Sequence, residues 1–497
     1  MFKNFPGYKV LEKLQRNKSH KRERKLPLNA IKLIFIVAIS VVIAMLPTES
    51  FGIEGLTAVH QRIISLFVFA ALMWLTETMP SWVTSMIVVT VMLFTVSTSA
   101  FNFLRPENNV GLVPFKSIMA CFANPTIMLF IGGFVLAIGL TKVKLDVALA
   151  RVLLKPFGTR SNVVLLGFIL VTAIFSAFVS NTATAAMMLA FLTPVLRSLP
   201  ADGKGRIALA LAIPVGANLG GMITPIGTPP NMIALDYLTS IGQGISFVDW
   251  TIKMAPFVIV LLVLAWFLLR IMFPFKQKNI KIEIEGSIRW DFKTWSVVAA
   301  FAITIFMWMF GTDLWGIDTN VVAMLPIAIF CATGILTRRD LEEINWSVLW
   351  MVAGGFALGV ALNYSDGNSA SLSSLIVKSV PFDSFSPLVV MILAGIICFG
   401  FSNFISHSAA TSLLVPVLGV IAVGLGDSLS AYGGSQAMLV GIAIASSVSM
   451  ILPISTPPNA IAHSTGFIEQ KDMMKVGIII GLLGLALGYA MLIFIGF

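Results

Sequence analysis

Apolar runs of membrane-spanning length follow one another along the chain, separated by short polar stretches. A helix needs about 20 mostly apolar residues to cross a bilayer. Eleven runs meet or approach that length: 29–46, 63–78, 82–96, 127–140, 207–223, 254–272, 295–310, 321–336, 348–362, 437–454 and 476–495. Helix ends extend past an apolar run, so the shorter ones are lower limits. Two further apolar regions, 163–196 and 388–424, are interrupted by Ser180-Asn181-Thr182 and by Ser406-His407-Ser408. Each half is short for a span, and two halves joined at a polar tip read as a re-entrant hairpin. Irregular backbone survives at membrane depth only where it is buried in protein or lines a wet cavity. The pattern predicts an all-α polytopic membrane protein with eleven transmembrane helices and two re-entrant hairpins.

Composition agrees with lipid as the solvent: 57% of the 497 residues are hydrophobic and 11% are charged, less than half the charge of a soluble domain. The three cysteines, Cys121, Cys331 and Cys398, lie in or beside apolar runs without metal-ligand spacing and read as small buried hydrophobes. No catalytic His/Asp/Glu cluster or nucleophile motif falls within the spans, so an intramembrane enzyme is not expected.

Charge sets the orientation. Much of the net +10 lies in the tail before the first span. Placed there, the tail reads as a cytoplasmic flank, not as a nucleic-acid arm or a cleavable signal. An inside N-terminus then leaves Lys144, Arg151, Lys155, Lys204, Arg206, Arg338 and Arg339 inside, while the outside loop 363–387 holds only Lys378. Eleven spans put the C-terminus outside, and a bacterial plasma membrane is the expected location.

The chain also repeats itself. FIGGFVLAIGL around Gly132-Gly133-Phe134 matches VAGGFALGVAL around Gly354-Gly355-Phe356, SAFVSNTATAAMML from Ser176 matches SNFISHSAATSLLV from Ser402, and ITPIGTPPN ending at Asn231 matches ILPISTPPN ending at Asn459. The organisation is a basic tail (1–28), a first span and loop (29–62), repeat 1 (63–275, spans 2–6 with the first hairpin), a cytoplasmic linker (276–294) and repeat 2 (295–497, spans 7–11 with the second hairpin). Five spans per repeat invert the second copy. Inverted repeats with interrupted helices at matching positions point to the binding site of a secondary transporter.

The interruptions carry the candidate chemistry. Pro229-Pro230 and Pro457-Pro458 remove backbone donors and break helices. Carbonyls freed nearby suit a cation, and a helix that restarts after a break turns its amides toward the gap, where they favour an anion. Ser180, Asn181, Thr182, Thr228, Ser406, His407, Ser408 and Thr456 add hydroxyl, amide and imidazole groups. No motif contains lysine or arginine, so charge compensation is the central question. Ser446, a lone serine, reads as bonding its own helix; Asp236 and Glu77 fall near span ends and read as reaching water.

These motifs resemble the divalent anion/sodium symporter family: SNTAT at 180–184, GTPPN at 227–231, STPPN at 455–459 and WLTETMP at 74–80. The resemblance runs from the second span onward. It implies a homodimer whose transport part, carrying both hairpins, slides like an elevator against a scaffold. It implies a dicarboxylate substrate contacting Ser180, Asn181, Thr182, Thr228, Pro229, Ser406, His407, Ser408, Thr456 and Pro457. It also implies a first sodium site at Ser176, Ser180, Asn181 and Gly227. The sequence departs from the family at His407, where a second asparagine would supply a carbonyl to a second sodium site; a protonated ring nitrogen offers none. The resulting expectation is a secondary active transporter of succinate, malate, fumarate or 2-oxoglutarate working as a sodium-independent exchanger. Sodium-coupled symport is the alternative and an anion channel the more distant one. No cofactor is expected beyond sodium.

Overall fold

A computed structural model of the chain describes residues 26–106, 109–200, 203–280, 289–367, 369–379 and 386–496. Nearly all of the basic tail lies outside the described residues, as does the centre of the linker, 281–288. Among the described residues the secondary structure is helical, with no strand beyond two isolated bridges.

The principal helices are α1 (Leu26–Met45), α2 (Ala58–Thr76), α3 (Ser81–Thr95), α4 (Pro125–Lys142), α5 (Ser161–Phe178), α6 (Asn181–Ser198), α7 (Gly205–Gly220), α8 (Pro229–Ser240), α9 (Phe247–Met272), α10 (Phe292–Trp315), α11 (Met324–Ala332), α12 (Trp346–Asn363), α13 (Pro387–Phe404), α14 (His407–Leu425), α15 (Gly434–Ser447), α16 (Pro457–Ser464) and α17 (Gln470–Phe494). Every predicted apolar run holds a helix. Nine described helices are long and apolar enough to cross a membrane, and five shorter apolar ones accompany them.

Three expectations change. The halves of the interrupted regions are not short: α5, α6 and α13 have 18 residues each and α14 has 19, because the helices continue through polar residues at their ends. Helix length therefore does not separate a re-entrant hairpin from a spanning pair. The run 437–454 is helical only to Ser447. Its last part is irregular, made of turns and bends, because a residue before proline is pushed out of the α region, and Pro453 lies there with Pro457 and Pro458 close behind. Cys331 is exposed on α11, although Cys121 and Cys398 are buried as expected.

Helices pack in two groups. In the first, α5, α6, α7 and α9 associate, as do α13, α14, α15 and α17. The two sets interlock: α8 lies against α14 and α15, and α16 against α6 and α7. The second group contains α1–α4 and α10–α12, with α3 on α12 and α4 on α11; it meets the first where α12 packs on α14. Without a hydrophobic drive between helices in lipid, close backbone approach supplies the contact. The glycine pairs show this. A Cβ on Gly132 would lie 2.5 Å from the Ala323 carbonyl oxygen, and one on Gly354 would lie 2.4 Å from the Ser85 Cβ. Larger residues there would cost about 1–3 kcal/mol.

Candidate functional site

Two breaks of matching build separate α5 from α6 and α13 from α14. Ser180 caps α6 and accepts from Ala183 N at 3.3 Å; Ser406 caps α14 and accepts from Ala409 N at 3.2 Å. Asn181 and His407 therefore begin helices. Two longer breaks precede α8 and α16, where Thr228 and Thr456 are extended ahead of the prolines. The asparagine of each TPPN motif folds back to hold its own unwound segment. Asn231 Nδ2 donates to the carbonyls of Gly221 (3.1 Å) and Thr224 (2.9 Å), and Asn459 Nδ2 to those of Met450 (2.8 Å) and Leu452 (3.1 Å).

The four breaks meet around one cavity of about 300 Å³. Ser180, Asn181, Thr182, Gly227, Thr228, Pro229, Ser406, His407, Ser408, Thr456 and Pro457 all line it. Ser176 does not. It is fully buried, 2.7 Å from the Ala217 carbonyl and 2.6 Å from Asn181 Oδ1. One hydroxyl proton cannot serve both acceptors. With the proton on Ala217, an Asn181 amide turned to donate to Ser176 satisfies the pair and leaves its carbonyl free. Ser176 thus holds Asn181 rather than the cavity's contents.

Among the described residues no Asp, Glu, Lys or Arg lines this cavity, and His407 is its one titratable group. Five helices, α6, α8, α12, α14 and α16, begin at its wall. Each contributes roughly half a positive charge at its N-terminus. The expectation that restarting helices present amides fails at two of the four breaks. The first two residues of α8 and of α16 are prolines without N–H, and the third amide of α16 bonds Thr456 Oγ1. Those helices act through their dipoles. At the tips, the first amides of α6 and α14 have no intrahelical partner, and the hydroxyls of Thr182 and Ser408 lie beside them.

The two sides differ in what they offer an ion. His407 Nε2 lies 2.6 Å from the Ser449 carbonyl. A carbonyl only accepts, so that nitrogen carries a proton. The carbonyl of His407 itself accepts from Thr411 (2.8 Å) and Ser446 (3.0 Å). The His407 carbonyl at the second tip is thereby already engaged by two hydroxyls. Around the first, Asn218 Oδ1 and Asn231 Oδ1 are buried without a hydrogen-bond partner, leaving oxygens suited to a cation.

Sequence reasoning missed Asn218, which lines the cavity and donates to Thr456 Oγ1 (3.2 Å) and Asn459 Oδ1 (3.1 Å). Its signal was a single amide inside an apolar run. Ser81, Trp82, Asn345 and Ser347, from the second helix group, were also missed. Ser446 bonds the second tip, not its own helix. Asp236 is half-buried: its Oδ1 accepts from Thr126 Oγ1 at 2.9 Å. It faces a second cavity of about 1200 Å³ bounded by α8, α14, the start of α4 and the later part of α12.

Comparison with known proteins follows this geometry. The family described as "Citrate transporter" matches residues 71–433. An uncharacterized transporter of Haemophilus influenzae is 31% identical over 474 residues, spanning 91% of this chain and 94% of that protein. The sodium-dependent dicarboxylate transporter SdcS of Staphylococcus saprophyticus is 27% identical over 460 residues, spanning 85% of this chain and 83% of that protein. Among solved structures, the YdaH transporter of Alcanivorax borkumensis shares the fold at a TM-score of 0.53 and 12% identity, covering 76% of this chain and 87% of that chain.

Proposed function

The chain belongs to the citrate transporter family, and from that premise we propose that it is a secondary active carrier of small dicarboxylates such as succinate, malate, fumarate or 2-oxoglutarate. The observation that carries this reading is a cavity ringed by five helix N-termini and one histidine, with no acidic side chain among its described lining residues to repel an anion. Each tip receives one carboxylate: Asn181, Thr182 and the first amides of α6 on one side, His407, Ser408 and those of α14 on the other. Ser180 and Ser406 hold the tips in shape. Thr228-Pro229 and Thr456-Pro457 form the floor between them. Thr456 Oγ1 already accepts from Asn218 and Asn459, so its own proton is available to the substrate. A cation beside the first tip would use Asn181 and the Gly227 loop, with Ser176 beneath.

In the membrane the chain has eleven spans and two re-entrant hairpins, with the N-terminus inside and the C-terminus outside. It works as a homodimer in which the group carrying α5–α9 and α13–α17 moves like an elevator against the other. His407 supplies the countercharge at the second tip. A protonated imidazole fixed to the chain leaves the empty site charged, and carrying an unpaired charge through the membrane costs several kcal/mol. The loaded site is compensated and crosses. That makes the carrier an exchanger. A second reading, sodium symport, is favoured by one observation: relatives such as SdcS are sodium-dependent dicarboxylate transporters. Transport itself is tested by counterflow of labelled succinate in proteoliposomes. Labelled succinate should accumulate against unlabelled succinate, and competition by fumarate and malate but not by monocarboxylates is the expected result. Absence of counterflow with every dicarboxylate overturns the proposal.

A further inference from the structure

The two cavities share a wall that the repeat duplicates. Matching Gly132 to Gly354, Gly133 and Phe134 of α4 line the smaller cavity, while their repeat mates Gly355 and Phe356 of α12 line the larger. Val348, at the start of α12, lines the smaller cavity; Thr126, its mate at the start of α4, lines the larger. The second helix group therefore presents the same surface twice, on successive halves of α4 and α12. In the present arrangement the hairpin tips lie against one copy, and α8 and α14 face the other.

The duplication is not exact: Ala123 and Pro125 pair with Asn345 and Ser347, and Thr126 with Val348. Thr126 carries a hydroxyl, and Asp236 of α8 accepts it at 2.9 Å. The side chain of Asn124, which also caps α4 by accepting from Thr126 N at 2.7 Å, adds a second polar contact to the same carboxyl. The corresponding wall position, Val348, has nothing to donate. Matching Asn231 to Asn459 puts Ser464 of α16 at the place of Asp236. The mirror arrangement, with the tips against Thr126, has no equivalent bond between Ser464 and Val348.

We infer that Asp236 is a positioning residue that biases the carrier toward the arrangement seen here by fastening α8 to Thr126 at the wall the substrate site reaches in the alternate state. The inference rests on the two-group motion of the proposed function. An equilibrium shifts only through interactions that differ between its states, and this bond exists in one of them. Losing a hydrogen bond to a carboxyl shifts such a population by about tenfold.

The test labels a thiol on the moving group. Ile226→Cys lines the smaller cavity without a proposed role, and Cys331→Ser removes the exposed native thiol. The full-length protein in oriented vesicles is treated with a membrane-impermeant maleimide from each side in turn. Asp236→Ala should change the ratio of the labelling rates from the two sides about tenfold. Thr126→Val should shift it the same way but less, since Asn124 remains. The double variant should go no further than Asp236→Ala, and Asp236→Asn, whose amide oxygen still accepts from Thr126 while its contact with Asn124 is lost, should be shifted less than Asp236→Ala. Unchanged labelling in both Asp236→Ala and Thr126→Val overturns the inference, as do additive effects or an Asp236→Asn variant as shifted as Asp236→Ala. If Asp236→Ala does not fold, Thr126→Val and Asp236→Asn decide alone. Labelling needs no substrate, so failed succinate counterflow with a shifted labelling pattern would count against the proposed substrate and not against this bond.

Discussion

The Nε2 of His407 lies 2.6 Å from the carbonyl oxygen of Ser449, in the irregular segment after α15. That bond fixes the ring and directs its Nε2 proton to the Ser449 carbonyl. His407→Asn restores an amide oxygen at the tip and should introduce sodium stimulation of uptake. His407→Ala should reduce exchange at least tenfold while the protein remains monodisperse in detergent. Exchange in the parent should weaken as pH rises, because the proposed countercharge is a doubly protonated His407 ring that deprotonation removes. Initial rates of succinate exchange at several pH values, with and without sodium, check all three.

Asn218 ties the two repeats together through Thr456 and Asn459. Asn218→Leu leaves Asn459 Oδ1 buried without that donor, a loss of about 1–3 kcal/mol. Thermal unfolding in detergent should show a clearly lowered midpoint, together with lost transport. An unchanged midpoint would mean that water replaces the amide.

Gly221 is the surface on which Asn181 rests: a Cβ there would lie 2.5 Å from Asn181 Oδ1. Gly221→Ala should displace the first tip and lower transport at least tenfold, as Asn181→Ala should, with expression intact. Gly400→Ala, where a Cβ meets nothing within 4 Å, is the matched control and should transport normally.

The proposed inside N-terminus and outside C-terminus rest on the basic residues and on the odd number of spans in that proposal. A cysteine introduced near Ile495 should react with an impermeant thiol reagent added outside cells expressing the protein. Reaction only after the membrane is opened would require a different span count.

Much of this architecture was legible because lipid imposes long apolar runs and because the repeat printed the same breaks twice. Ser180, Asn181, Ser406 and His407 announced themselves as polar residues where none is tolerated without purpose. What the sequence concealed was partnership. Nothing in the order of residues says that Asn218 reaches the second repeat, that Ser446 serves the neighbouring tip, or that Ser176 lies behind Asn181 instead of in the cavity. Asp236 looked like a residue meeting water because its depth depends on α4, which is distant in sequence. The unwinding of 448–454 was obscured for the opposite reason: its apolar residues matched a span, and the prolines that break it were counted for their chemistry and not for where the helix ends.

The central claim is that the loaded carrier crosses and the empty one does not. Its most direct measurement is uptake of labelled succinate into proteoliposomes in sodium-free buffer, comparing vesicles loaded with unlabelled succinate against empty ones. Rapid uptake into loaded vesicles and little into empty ones is the predicted result. Uptake into empty vesicles that depends on an inward sodium gradient would contradict it and establish sodium symport instead.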